Sequence, residues 1–397
     1  MRIFYVASDE EIKKGETTDI YFLRTMEILK AKGKDKVNVV AEVTSQTRLP
    51  ENWSWAVLCG VEEVLKLFEG YHVNVYSLPE GTIFRPKDFE GIRLPVMFIE
   101  GPYGEFCFLE TPLLGFICQA SGIATKAARI RKIAWDRLLI SFGIRRIHPA
   151  IAPMVDRAIY IAGFDGVSCV LGAKVIGKEP MGTMPHALII VFEDQVEAWK
   201  AFDEVIDKKV PRIALIDTYF DEKIEAVKAA EALGKRLFGV RLDTPSSRRG
   251  NFTEIVKEVY WELFVRGYEN VKIIVSGGIS EENIKPLMEA GVYGFGVGSS
   301  ISAAPIIDFA LDIVEVEGKP AAKRGKLGGK KQVWRCWKCM IDKVSPFNME
   351  KPKCPNCGGD MESLLKPAVL DGKIISQLPS PEEIRKYVLK QLEKVSL

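Results

Sequence analysis

The chain has 397 residues, 47% apolar and 27% charged, a globular balance that excludes wholesale disorder and leaves room for two or three domains. Lys and Arg number 55 against 53 Asp and Glu, a net charge of +2, so neither a nucleic acid nor a membrane is demanded as a partner. No charge-free apolar run reaches the roughly 18 residues of a spanning helix, and the opening MRIFYVASDEEIKKG turns acidic by Asp9. A cytoplasmic protein is expected. Abundant Glu and Lys with sparse Gln lean towards a thermophilic source.

In the first hundred residues, KVNVVAEVT (36–44) and YHVNVYSL (71–78) read as strands, with WAVLCGVEEVLKLF (55–68) between them as a helix. This mixed order predicts a sheet covered on one side by helices. Further along, ALIIVF (187–192) reads as an apolar strand. From about residue 205 the rhythm is regular. Strands are predicted at 212–217, 237–242, 272–277 and 293–298, separated by helices at 221–233, 251–266 and 281–290, with another helix at 302–315. Such alternation predicts parallel βαβ units, read as a (β/α) barrel in preference to an open doubly wound sheet.

The polar residues fall at the C-terminal ends of those strands: Asp217, then Arg241 and Asp243, then Ser276-Gly277-Gly278, then Gly298-Ser299. Arg241 and Asp243 alternate and so face the same way. The two Gly-rich ends each precede a helix start, where backbone N–H groups and the helix dipole favour a phosphate. Three histidines occur. His72 lies in a predicted strand and reads as structural, whereas His148 follows Arg145-Arg146 and His186 follows Gly182-Thr183, settings suited to anions.

Residues 318–331 (GKPAAKRGKLGGKK) read first as a solvated linker. Beyond them Cys336-x2-Cys339-x14-Cys354-x2-Cys357 has tetrahedral metal-site spacing, best suited to zinc, with iron as the lesser option. Four thiolates close the shell, so the expected role is structural. Ser380-Pro381-Glu382-Glu383 then opens a C-terminal helix with a capping box.

Taken in order, TDIYF (18–22), LETPLLGF (109–116), ATKAARIR (124–131), FGIRRIHP (142–149), GFDGVSCVL (163–171), GTMPHA (182–187), IDTYFD (216–221), RLDTP (241–245), SGGI (276–279), FGVGSS (295–300) and AAKRGKLGGKKQVWR (321–335) resemble the nicotinate phosphoribosyltransferases, the type II phosphoribosyltransferases. The four-Cys tail is similar to that of an archaeal subgroup. The resemblance implies an α/β fold: an N-terminal α/β sandwich (1–115, completed by about 301–330 and 366–397), an irregular (β/α) barrel (116–300) and a zinc-ribbon-like module (331–365). It brings the basic stretch 321–335 into the matching region, which weakens the linker reading.

The resemblance also implies attack of the nicotinate nitrogen on C1 of phosphoribosyl diphosphate (PRPP), with Mg2+ and coupled ATP hydrolysis. The active site would lie at the interface of a homo-oligomer, at least a dimer. Tyr21 from a neighbouring subunit and Phe142 would sandwich the pyridine ring, and Arg145 would pair with its carboxylate. Ser168 stands where nicotinamide-using relatives have an aspartate, which favours the acid over the amide. His186 would accept a phosphoryl group from ATP, and Asp217, Arg241 and Asp243 would hold ribose, Mg2+ and the reacting centre. Ser276, Gly277, Gly278, Gly298 and Ser299 would take the 5′-phosphate, with Lys126, Arg129 and Lys323 as diphosphate contacts. Asp19, His148 and Thr183 join the substrate-binding set. The rival readings are a quinolinate or nicotinamide phosphoribosyltransferase, a barrel lyase or isomerase acting on a sugar phosphate, and a zinc-ribbon scaffold without activity.

Overall fold

Strand Asn38–Ser45 is buried at every position after its first, as a Val-rich segment flanked on both edges by other strands would be. The computed structural model describes residues 3–375 and 377–397. It divides into two compact units: the chain up to Thr125 together with Pro305–Leu397, and Lys126–Ala304.

The first unit is built on a seven-stranded antiparallel sheet. Its order is Lys319–Pro320, Phe309–Val316, Asn38–Ser45, Pro95–Pro102, Asn74–Ser77, Lys366–Leu370, Lys373–Ile374. Helix Val61–Phe68 buries Val61, Val64, Leu65, Leu67 and Phe68, all part of the same hydrophobic core as the sheet. The predicted helix 55–68 is therefore too long at its start. Ala56–Val57 pairs instead with Ile83–Phe84, and Gly60, at φ 89°, turns the chain before the helix begins.

The helix predicted at 302–315 is also overturned. A single turn, Ser299–Ser302, is followed by Pro305 and then by Phe309–Val316, which pairs along its length with Asn38–Ser45. Ile313, Val314 and Val316 are β-branched, and the available partner strand decides the conformation. The basic stretch is exposed along most of its length, yet it is tied down rather than a free linker. Lys323 and Lys326 each lie 2.5 Å from a carboxylate oxygen of Asp312, and Lys331 is buried against Glu42 at 2.8 Å.

The cysteine segment forms a three-stranded sheet, Ile341–Pro346, Lys331–Cys336, Glu362–Ser363, within this unit. Its Val333, Val344, Leu364 and Leu365 belong to the unit's core. Arg335, 1% exposed, is held by both oxygens of Asp342, by the Ile83 carbonyl and by Gln391 of the C-terminal helix Pro381–Leu392. That helix starts at the predicted capping box and buries Ile384, Val388 and Leu392.

The second unit carries a six-stranded, all-parallel sheet. Its order is Gly166–Val167, Leu138–Ser141, Gly294–Val297, Lys272–Ser276, Leu237–Leu242, Arg212–Leu215. Among the described residues no ladder joins the two edge strands, so the barrel is curled but open. The predicted strand 187–192 is instead helix His186–Phe192, ended by Glu193 in a left-handed conformation. An unbroken apolar run of this length has no periodicity to separate helix from strand.

The division between the units falls within helix Glu110–Ile133. Counted as Tyr103–Ile133, this segment is long and apolar enough to cross a bilayer by length and composition, although its charge-free run stays short of 18 residues, as expected. However, 56% of its most apolar window is buried in the protein, as in a core helix.

Candidate active site

In the second unit the chain leaves strand Arg212–Leu215 through Ile216 and presents Asp217 and Thr218. The turn is fixed by a residue that sequence reasoning passed over. Glu225, fully buried in helix Glu222–Leu233, accepts the backbone N–H groups of Thr218, Tyr219 and Phe220 at 3.3, 2.9 and 2.9 Å. A glutamate one turn into a helix reads as a solvent-facing residue, so only the fold reveals it.

Asp217 is the electrostatic centre. Its side chain is 2% exposed, and one oxygen accepts the Asp243 N–H at 2.6 Å. The other oxygen, Oδ1, has no hydrogen-bond partner and lies 3.7 Å from Nε2 of His186. Nδ1 of His186 lies 3.1 Å from the Thr218 hydroxyl. Burial raises the Asp217 carboxyl above its usual range, against the Asp243 N–H and His186, which favour its ionised form. Beside it Arg241 is buried, and burial lowers its pKa. One guanidinium nitrogen donates to the Met184 carbonyl at 3.1 Å, while Nε has no partner. Two buried polar atoms left unsatisfied at one place mark a position that a ligand completes.

The next two strand ends form a cradle. Asp243 accepts the Ser276 hydroxyl at 3.0 Å, and Gly277 and Gly278 follow with φ of 77° and 66°. A Cβ at Gly277 would lie 2.8 Å from Asp243 Oδ1, so neither backbone shape nor space admits a side chain there. Arg249 ties this turn to the previous one by donating to the Thr244 and Gly277 carbonyls. Arg249 is thus a structural clamp between the two turns. Gly298 and Ser299 follow the last strand of the series, at the single turn Ser299–Ser302.

Arg241, Asp243, Ser276, Gly277, Gly278, Gly298 and Ser299 line a cavity of about 650 Å3 that also receives Phe142, Arg145, Ser168 and Thr183. Asp217, with His186 beside it, stands behind this cavity and is joined to its lining through the Asp243 N–H. The Phe142 ring lies where a Cβ at Gly296 would be, 2.2 Å away, so a glycine in the strand makes room for an aromatic wall. The Arg241 guanidinium sits 5.7 Å from that ring's centroid.

Other expected site residues are not among those that line this cavity. His148 caps the turn Pro149–Ile151 by accepting the Ala150 N–H, and it is exposed. Lys126 and Arg129 are paired with Glu281, Arg129 through three hydrogen bonds. Asp19, Tyr21 and Lys323 belong to the first unit. There Tyr21 is 54% exposed, Asp19 accepts the Thr111 hydroxyl at 3.4 Å, and Lys323 is paired with Asp312. His72 is paired with Asp371 at 2.9 Å on the surface.

The four thiols of Cys336, Cys339, Cys354 and Cys357 lie within 4.8 Å of one another, with Cys336 and Cys357 Sγ 3.6 Å apart. A tetrahedral zinc–thiolate site has a sulfur–sulfur edge of about 3.8 Å, so the set fits that ion.

Two family models match the chain: Quinolinate phosphoribosyl transferase, N-terminal domain, over residues 19–121, and its C-terminal domain over 123–312. A crystal structure of nicotinate-nucleotide pyrophosphorylase from Pyrococcus furiosus is 59% identical, with a TM-score of 0.95 and 99% of both chains covered. The human Nicotinic Acid Phosphoribosyltransferase, 20% identical with a TM-score of 0.73 over 96% of this chain and 94% of that one, shares the fold. A nicotinate phosphoribosyltransferase of Mycobacterium tuberculosis is 34% identical over 274 residues, 66% of this chain. This chain spans 57% of that relative's length. The chain belongs to the nicotinate phosphoribosyltransferase family of type II phosphoribosyltransferases.

Proposed function

We propose that the protein forms nicotinate mononucleotide and diphosphate from nicotinate and PRPP, a step of NAD biosynthesis, with ATP phosphorylating His186. The observation that carries the reading is the conjunction of two unsatisfied buried atoms, Asp217 Oδ1 and Arg241 Nε, with a glycine cradle and a histidine. The M. tuberculosis relative's name describes the same transfer, and "nicotinate-nucleotide pyrophosphorylase" describes the same ribose–pyridine bond from its other direction.

As the C1–diphosphate bond breaks, positive charge develops on the ribose and negative charge on the leaving group. The protein's task is then positioning and electrostatic stabilisation. Gly277, Gly278, Gly298 and Ser299 would receive the 5′-phosphate through backbone N–H groups, for which a side chain at Gly277 leaves no room. Phe142 would cover one face of the base and Arg145 would pair with its carboxylate, both at the same cavity. Ser168 in place of an acid avoids repelling that carboxylate. Asp217 and Asp243 would hold Mg2+, which neutralises diphosphate charge when bound; the unpartnered Oδ1 of Asp217 suits a hard cation or a ribose hydroxyl.

His186, held between Thr218 and Asp217, has a ring nitrogen able to attack the γ-phosphorus of ATP. The new N–P bond forms as the bond to ADP breaks. With Nε2 facing Asp217, Nδ1 would be the attacking nitrogen and Asp217 would accept the Nε2 proton. The same reading makes the protein a cytoplasmic homo-oligomer with Tyr21 supplied by a neighbouring subunit, and the four cysteines a structural zinc site.

The quinolinate family models keep one rival open. Product formation from PRPP with nicotinate, nicotinamide or quinolinate, with and without ATP, separates the readings. Nicotinate mononucleotide from nicotinate alone, faster with ATP, is expected. His186→Ala should retain slow transfer and lose all ATP stimulation. Carbon dioxide release from quinolinate, or ATP stimulation surviving in His186→Ala, would overturn the respective assignment.

A further inference from the structure

Two segments from separate parts of the second unit flank the proposed base pocket. Ser141 and Phe142 end the strand Leu138–Ser141, and Ser168 and Cys169 follow the strand Gly166–Val167. One carboxylate joins them. Asp156, with no solvent exposure in helix Ala152–Ile161, accepts the Ser141 hydroxyl at 2.9 Å on one oxygen. Its other oxygen accepts the Cys169 N–H at 3.2 Å.

The space around it is shaped for this group. A Cβ at Gly172, in the helix Val170–Val175, would stand 2.7 Å from Asp156 Oδ2. Burial pushes the Asp156 carboxyl up to about 6, so its presence is a cost that a leucine or valine would not incur. What the carboxylate does that an apolar side chain cannot is to fix two separate backbone segments at once.

We propose that Asp156 is a positioning residue for the pyridine base, setting the Phe142 wall and the Ser168 edge of the pocket at one spacing. It touches neither substrate nor the reacting atoms; it acts through Ser141 and Cys169. The inference rests on the functional reading above. It assigns base recognition, as distinct from phosphate recognition, to a residue remote from both.

Steady-state kinetics with nicotinate and PRPP varied separately tests it. Asp156→Ala should raise KM for nicotinate about tenfold, leave KM for PRPP within about twofold, and narrow the preference for nicotinate over nicotinamide. Asp156→Asn can accept the Cys169 N–H through its carbonyl and donate its amide to Ser141 Oγ, so it should stay within about threefold of the parent. Ser141→Ala, which keeps the Cys169 bond, should give a rise of about threefold in KM for nicotinate alone. If Asp156→Ala fails to fold, the other two variants decide: an unchanged nicotinate KM in Ser141→Ala overturns the proposal. Equal rises for both substrates, or Asp156→Asn as impaired as Asp156→Ala, also overturn it. A parent enzyme that does not turn over nicotinate would sink the functional reading itself, whereas a nicotinate-active parent with unshifted variants would sink only the role of Asp156.

Discussion

Each unit buries a cluster of charged side chains, and the two clusters are finished differently. In the first unit Asp312 receives Lys323 and Lys326, and Glu42 receives Lys331, whose ammonium also donates to the Leu327 and Gly329 carbonyls. Every charge there meets its opposite within the chain. Lys323 and Lys326 hold Asp312 below its ordinary range although burial acts the other way. In the second unit Asp217 and Arg241 are as deeply placed, yet Asp217 Oδ1 and Arg241 Nε have no hydrogen-bond partner. Among the described residues no ammonium stands on that carboxylate oxygen as Lys326 stands on Asp312 Oδ2, which also lacks a hydrogen bond. A closed cluster is architecture. An open one is a site waiting for a ligand's charge.

The comparison can be broken first at its open end. Asp217→Asn should cut kcat/KM by about 10^3-fold while leaving the unfolding temperature unchanged or higher, because it neutralises a buried carboxylate whose pKa burial has raised. A large loss of stability in place of activity would make this cluster architectural too. At the closed end, Glu42→Ala strands the buried Lys331 ammonium and should cost about 3 kcal/mol, with KM values unaltered below the melting temperature. Denaturant unfolding measures the loss, and a changed KM for PRPP would show the cluster to be open after all.

A titration sharpens the contrast. Burial, with Asp312 adding and Lys323 opposing, pushes the Glu110 carboxyl of the first unit up to about 7. The folded chain therefore holds a proton there that the unfolded chain has released. This contribution to stability is present below the ordinary glutamate value and is lost as pH rises from about 4.5 to 7, roughly 2 kcal/mol after allowing for residual solvent. Glu110→Gln should flatten that part of the stability curve, and an unaltered slope would disprove it. The smallest effect is expected at Gly296→Ala. The added methyl displaces the Phe142 ring and should raise KM for nicotinate about tenfold with kcat/KM for PRPP little changed. Initial rates at two fixed base concentrations suffice to see it.

Much of the second unit was legible because strand and helix periods differ and its turns are punctuated by glycine. The strands at 212–215, 237–242, 272–276 and 294–297 fall inside the predicted ranges. Asp217, Arg241, Asp243 and the Gly277-Gly278 turn converge at their ends, as residues at the C-terminal ends of parallel strands must. The errors arose where local pattern is silent. HALIIVF is apolar at six consecutive positions after the histidine and so carries neither period, and Phe309–Val316 is a strand because Asn38–Ser45, more than 260 residues earlier, offers it an edge. Glu225, Arg249 and Glu281 resemble ordinary surface charges in the sequence; their partners are backbone groups or side chains that only folding brings near.

What the sequence alone determined was therefore the chemistry available at each strand end, the four-thiol cluster and the family motifs, since these depend on residue type and short spacing. The tertiary structure decided which charges are satisfied and which are not. That the basic stretch closes onto Asp312 and Glu42, and that Asp217 and Arg241 stay open, follows from contacts between residues far apart in sequence. Burial sets the cost of leaving such a charge unpaired, and burial is a property of the packed chain.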